Sequence, residues 1–433
     1  MTVAVSRNLE VNDESLDSRT RLLVAASELM TEQGIRSLSF RSIAGRAGLA
    51  FTAVTYYFDN KESLIEATFR YQMEMDTRRL RAISEQLSDL SITSAHLLTL
   101  LLKELKAESA EIHQSNRVWY ELQGSCASGE RERLLILQQW NQMKQQHWES
   151  LLRGCQVIAT EYQRAETARI MVEYSAAEAY YWLSADHSPS ALMELAFYEK
   201  VSAFIHALVA RSEQGDKAFP AFESLVQQSE RQFLSHYEAD DNAPPARKKI
   251  INASLELIAQ EGPASLTNRR IAQQAGVSLA STTYHFKALS DLLETVVLEI
   301  YQRFGQLSIL DGREIQAQSK DELVRQLASF YRNKEQMALI TGIENTVLLG
   351  TRLDSFQFCL ENIFAMRGSS SFRQMQQVPE LSQQLSRMKS AIWSTLREGQ
   401  RRLSVSYGAS SREEALLQRH EQVFCLLFPS EAS

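Results

Sequence analysis

The sequence is poor in the residues that interrupt helices. Its 16 glycines and 7 prolines in 433 residues fall well below the usual shares of about 7% and 5%. With 44% hydrophobic residues, that scarcity argues against turn-rich sheets and predicts long helices in an all-α fold. Cysteine is scarce too. Cys126, Cys155, Cys359 and Cys425 form no CxxC pair and have no histidine at zinc spacing, so no metal site is expected and all four read as buried, reduced thiols. No apolar run is long enough to span a bilayer, and the first twenty residues mix polar and charged positions. The expectation is a cytoplasmic protein without membrane attachment. Positive charge is not in excess: the net charge is −7 and the pI about 5.8, so any contact with nucleic acid must be local.

Catalytic signatures are missing as well. The chain has no Walker loop and no dinucleotide fingerprint, and GSCASG (Gly124 to Gly129) lacks the spacing of a nucleophile elbow and reads as a connection between helices. His113 and His147 have no partners at metal-ligand spacing. No enzyme activity, catalytic residue or cofactor is expected.

What the chain does have is an internal repeat, which the length, too great for one core, also suggests. AASELMTEQGIRSLSFRSIAGRAGLAFTAVTYYFDNKESLI, from Ala25, recurs without gaps as ASLELIAQEGPASLTNRRIAQQAGVSLASTTYHFKALSDLL, from Ala253. A fainter match pairs Met143, Lys144, Trp148, Leu151 and Gly154 with Met388, Lys389, Trp393, Leu396 and Gly399. The whole unit is therefore read as duplicated, with EADDNAPPA (238–246) as a solvated linker at the seam. Under the second alignment the segments 190–211 and 218–237 have no counterpart in the second copy. The second of them, with Phe219, Phe222, Leu225, Phe233 and Tyr237, is expected to pack across the two units.

Within each repeat the apolar spacing predicts three short helices. Leu22, Ala26, Leu29 and Met30 share a face of the first, and Gly34 closes it in a left-handed conformation. Ser39, or Thr267 in the second copy, caps a helix that buries Ile43, Ala44 and Ala47. A third helix runs from about Phe51 to Phe58, with Val54 and Phe58 packed inward. This is a helix-turn-helix pattern.

RSIAGRAGL with TYYFDNKESL, and RRIAQQAGV with TYHFKALSDL, resemble the DNA-binding domain of the TetR family of transcriptional regulators. The resemblance covers about fifty residues per half, and each half has the length of a family subunit. It implies DNA contact through Arg41, Phe51, Thr52, Ala53, Thr55, Tyr56, Tyr57 and Lys61 in the first head, and through Arg269, Leu279, Ala280, Ser281, Thr283, Tyr284, His285 and Lys287 in the second. The alternative for Tyr57 or Tyr56 is a packing role. The copies depart from the pattern at Ala50, where the second copy has the capping hydroxyl of Ser278, and at Leu289, which replaces the equivalent of Lys61. Arg19 and Arg21, and Arg247, Lys248 and Lys249, could reach phosphates or the minor groove.

The resemblance divides the chain into a head at 17–64, a helical ligand-binding and dimerisation domain at 65–237, a linker at 238–246, a second head at 247–292 and a second helical domain at 293–433. The two units are expected to form a pseudo-dimer within one chain and to bind a double-stranded DNA operator that is not symmetric. Repression relieved by a small, hydrophobic or aromatic effector is the mode the family implies. Trp119, Tyr120, Trp148 and Tyr181 are candidates for the effector site, although aromatic stripes on helices also build plain core. The alternative is a sensing or protein-interaction module whose heads have lost DNA binding.

Overall fold

The computed structural model describes residues 16–126, 131–184, 189–210, 218–241, 243–261, 265–310, 317, 319–329, 342, 344–353, 356–381, 383–404 and 412–429. Among them no strand occurs and helices dominate, so the all-α expectation holds.

The first head comprises α1 (Ser18–Gln33), α2 (Phe40–Arg46) and α3 (Phe51–Tyr57). Asp17 caps α1 by accepting from Thr20 N, and Ser39 and Ser42 form a reciprocal box at the start of α2. The predicted inward positions Leu22, Ala26, Leu29, Met30, Ile43, Ala44, Ala47, Val54 and Phe58 are all buried. Gly34 ends α1 with φ 83° and ψ 165°. Its φ is positive as expected, but the extended ψ takes it outside the left-handed helical region and into one open essentially to glycine. From the head, α4 (Lys61–Gln86) carries the chain inward over 26 residues, about 39 Å at 1.5 Å per residue.

The first body adds α5 (Ser94–Lys106), α6 (Ala110–Ser125), α7 (Arg131–Leu152), α8 (Glu161–Glu178), α9 (Ala191–Ile205) and α10 (Pro220–Asp241). Gly124 and Ser125 form the end of α6 and Cys126 caps it, while Ala127 to Gly129 lie outside the described residues. At the seam, α10 continues to Asp241 and α11 (Pro245–Glu261) begins at Pro245, a residue suited to the first helical position. The helix break is thus shorter than the nine residues the sequence suggests.

The second head repeats the first with α11, α12 (Asn268–Ala275) and α13 (Leu279–His285), followed by α14 (Leu289–Leu310). The second body contains α15 (Lys320–Ser329), helical residues 344–350, α16 (Gln357–Met366), α17 (Ser369–Met375), α18 (Arg387–Ser404) and α19 (Arg412–Leu427).

The bodies meet where α8 crosses α18. Gly399 permits the approach, since a Cβ there would overlap the backbone oxygen of Glu173. Buried charges lock the crossing. Glu173 accepts from Arg419 at 2.8 to 3.0 Å and from Gln400 at 3.1 Å, and Glu178 accepts from Thr395 at 2.7 Å and from Lys200. Lys200 and Glu178 are both fully buried, so each would be costly without the other. The segment without a counterpart, α10, packs on α9 and on α16 of the second unit. Phe222 meets Phe364 edge-on at 6.3 Å, and Arg387 donates to Glu230 at 2.8 Å. The side chains of Phe233 and Tyr237 lie outside the described residues. Cys126, Cys155 and Cys359 are buried, but Cys425 is exposed, a correction to the expectation. Its place on α19 follows helical periodicity, which turns Phe424 inward and the next residue out.

Candidate nucleic-acid interface and interior cavity

The third helix of each head is anchored by one buried face and leaves the other open. Val54 and Phe58 hold α3; Thr282 and Phe286 hold α13. Outward from α3 stand Phe51 (half exposed), Thr52, Thr55, Tyr56 and Tyr57, with Ala53 partly covered. Outward from α13 stand Leu279, Ala280, Thr283 and Tyr284, with Ser281 and His285 partly covered. Tyr56 and Tyr284, at matching positions, are each 81% exposed. That exposure decides against a packing role for them, because a tyrosine kept for the core would bury its ring. Tyr57 is 38% exposed and lies edge-on to Tyr56 at 4.9 Å; His285 stands in the same relation to Tyr284 at 5.1 Å.

The two helices begin differently. Ser278 accepts from Ser281 N and closes the first turn of α13, whereas Ala50 gives α3 no side-chain cap, a loss of about 0.5–2 kcal/mol. Arg41 and Arg269 are exposed and make no hydrogen bond among the described residues. Lys61 is exposed with only a 3.5 Å contact to Arg36 O, and Lys287 is exposed too. Other basic residues have work inside the heads. Arg46 bridges Glu28 and Glu32, and Arg21 donates to Ala47 O at 2.7 Å, closing the end of α2. Arg19 lies over the Phe58 ring at 5.7 Å, and Arg247 over Phe286 at 4.4 Å. Arg19, Arg21 and Arg247 are therefore held against the head domains and do not form loose arms.

A separate feature sits in the first body, a cavity of about 40 Å³ among α4, α5, α6, α7 and α8. Trp119, Tyr120 and Trp148 line it, together with Glu104, Asn116, Asn141, Lys144 and His147. Tyr181 is not brought there. It is buried at the junction with the second unit, stacked on Tyr180 at 4.3 Å and edge-on to Phe364 at 5.4 Å. Of the other aromatics, Trp140, Tyr174, Tyr180 and Trp182 are core, and Tyr162 is exposed. At about 10–15 Å³ for each water centre, the cavity as it stands admits a few waters, and a larger guest must part its walls.

Behind one wall lies a charged cluster that sequence reading missed. Arg79 pairs with Asp76 at 2.6 Å and with both oxygens of Glu104, and Trp140 Nε1 donates to Asp76 at 2.8 Å. Burial pushes the Asp76 carboxyl up, but Lys144, Arg79 and the indole N–H outweigh it and hold it below its ordinary value. Burial lowers the Lys144 ammonium, against the pull of Asp76 and Glu104. His147 is pushed down to about 4 by burial and so is neutral near pH 7, with Nδ1 2.8 Å from Ser84 Oγ. The Asp76–Arg79 spacing on α4 was a legible sign of a shared face; the link to α5 and α7 was not.

Two helix-turn-helix heads, each followed by a helical body and joined in one chain, define a duplicated DNA-binding regulator fold. Residues 22–68 and 250–296 match the sequence model of the bacterial regulatory proteins, tetR family. The chain is 30% identical over 105 residues to a probable HTH-type transcriptional regulator, YttP, of Bacillus subtilis (strain 168), covering 23% of this chain and 51% of that one. It is also 30% identical over 131 residues to the class D tetracycline repressor protein of Escherichia coli and to the class H protein of Photobacterium damsela subsp. piscicida, covering 28% of this chain and 56% of each. The chain thus spans about half the length of the curated relatives it matches. It carries the DNA-binding domain of the tetR family twice, once in each head. No helix among the described residues is long and apolar enough to cross a membrane.

Proposed function

We propose that the chain is a sequence-specific DNA-binding transcriptional regulator, acting as a repressor, whose two heads engage the two halves of one operator. The units run as divided above, with heads at 17–64 and 247–292. The observation that carries this reading is the matched pair of surfaces on α3 and α13. Each presents an outward tyrosine, an unengaged arginine on the preceding helix and a row of short hydroxyl or apolar side chains, the chemistry that base edges and phosphates require. Those surfaces also weigh against the alternative of decayed heads.

An effector entering the first body's cavity would shift α6. That helix carries Asn116, Trp119 and Tyr120 on the cavity, while its Glu121 accepts from Ile35 N of the first head at 3.1 Å. Release from DNA follows if this movement changes how the first head sits relative to the second.

The two reading surfaces differ: Phe51 stands against Leu279, Thr52 against Ala280, Ala53 against Ser281 and Tyr57 against His285. Each mismatched base pair costs about 1–3 kcal/mol, so two differing positions separate the half-site preferences. Selection from random DNA with the full chain should enrich an operator with two unlike halves. Enrichment of a perfect inverted repeat would show that the differing residues do not read bases, and no enrichment would sink the DNA-binding reading.

A further inference from the structure

We propose that the cavity of the first body takes an uncharged, planar aromatic molecule carrying an acceptor oxygen, of the aromatic ketone or lactone kind. This rests on the effector reading above and names its chemistry.

Three observations lead there. The walls are aromatic: Trp119, Tyr120 and Trp148 face the space, and flat rings stack on such walls with gain beyond their buried area. The charges around it already balance. Two carboxylates, Asp76 and Glu104, face two basic groups, Arg79 and Lys144, with Arg79 ion-paired to both acids, and burial leaves His147 neutral near pH 7. A charged guest would therefore bring an uncompensated charge into a partly desolvated site, at a cost that an uncharged one escapes.

The third observation concerns hydrogen bonds. Trp119 Nε1 donates to Asn141 Oδ1 at 3.0 Å, which fixes the orientation of the amide. Asn141 Nδ2 then remains buried with no partner. Lys144 Nζ lies over the rings of Trp119 and Trp140 at 5.4 and 5.9 Å and makes no hydrogen bond among the described residues. Both groups can only donate, so the guest must offer an acceptor. Asn141 Nδ2, buried and unsatisfied, is costly as it stands, and a carbonyl oxygen within reach of both groups would relieve that cost.

Calorimetric titration of the full chain with coumarin, benzoate and benzylammonium tests this. Coumarin should bind at least tenfold more tightly than either ion. Asn141→Asp keeps the acceptor for Trp119 but removes the donor, and should weaken coumarin at least tenfold. Lys144→Met should weaken it as well, with circular dichroism reporting that both variants fold. Tighter binding of benzoate or benzylammonium would overturn the chemical class and leave an effector cavity standing. Absence of saturable coumarin binding, or coumarin binding indifferent to Asn141→Asp, would also overturn the class. Coumarin binding that is lost in Asn141→Asp yet leaves operator affinity unchanged would uphold the class and sink the effector reading.

Discussion

At the scale of single residues, the two heads are alike in design and unequal in charge. Residues 17–64 hold six basic and five acidic side chains, and 245–292 hold six and three. Within the first head, Arg46 is held by two glutamates and Arg21 by a backbone oxygen. The second has the better-capped reading helix. Arg269→Ala is therefore expected to weaken operator binding more than Arg41→Ala. Each should flatten the slope of log K against log salt by about 0.9 if it removes one phosphate contact. Binding titrations at several salt concentrations measure both, and an Arg269→Ala chain with unchanged affinity and slope would show that this arginine does not touch DNA.

At the scale of elements, one side chain of the second body holds the first head. Arg352, just beyond helical residues 344–350, donates to Met30 O at 3.1 Å and Thr31 O at 3.2 Å at the end of α1, and to Glu121 of α6 at 2.6 Å. Both carbonyls belong to the last turn of α1, where onward amides run out; Met30 O also accepts from Gly34 N at 2.9 Å. Gly34 leaves room for this junction, because a Cβ there would stand 3.2 Å from Glu121 Oε1 and 3.5 Å from the Arg352 guanidinium. Beside it, Arg117 of α6 donates to Thr351 Oγ1 at 2.7 Å and Thr351 O at 2.9 Å. Since the Arg352–Glu121 pair is nearly buried on both sides, Arg352→Ala should cost about 3 kcal/mol by stranding the carboxylate. Adding Glu121→Gln should recover part of that. Urea midpoints of the single and double variants measure it, and an unchanged midpoint for Arg352→Ala would show that the junction contributes no stability.

At the scale of the whole molecule, fusion replaces encounter between subunits by encounter within one chain at high effective concentration. The interface is built for unlike partners. Glu173 and Glu178 come from α8, while Arg419, Gln400 and Thr395 come from the second unit. Two first units pairing through α8 would lose those partners. One chain should therefore suffice for a minimal operator of two half-sites. Native mass measurement of the complex gives the stoichiometry, and two chains on such an operator would refute the intramolecular pairing.

Much of this was legible in the order of residues. Helix-breaker scarcity predicts the all-α class, and the gapless repeat predicts two heads with their caps, turns and buried positions, because those depend on neighbours within a few residues of one another. The candidate DNA-facing set on each reading helix is what the family resemblance implies. What only tertiary structure decided lies between distant segments. Tyr181 shares the aromatic character of Trp119 and Trp148 but faces the other unit, since the face a helix presents to a cavity depends on which helices pack around it. Arg352 stands 321 residues from Thr31, and Asp76, Glu104 and Lys144 converge from three helices. Local spacing carries no record of such meetings, because the burial that makes them energetically decisive exists only once the bodies have packed.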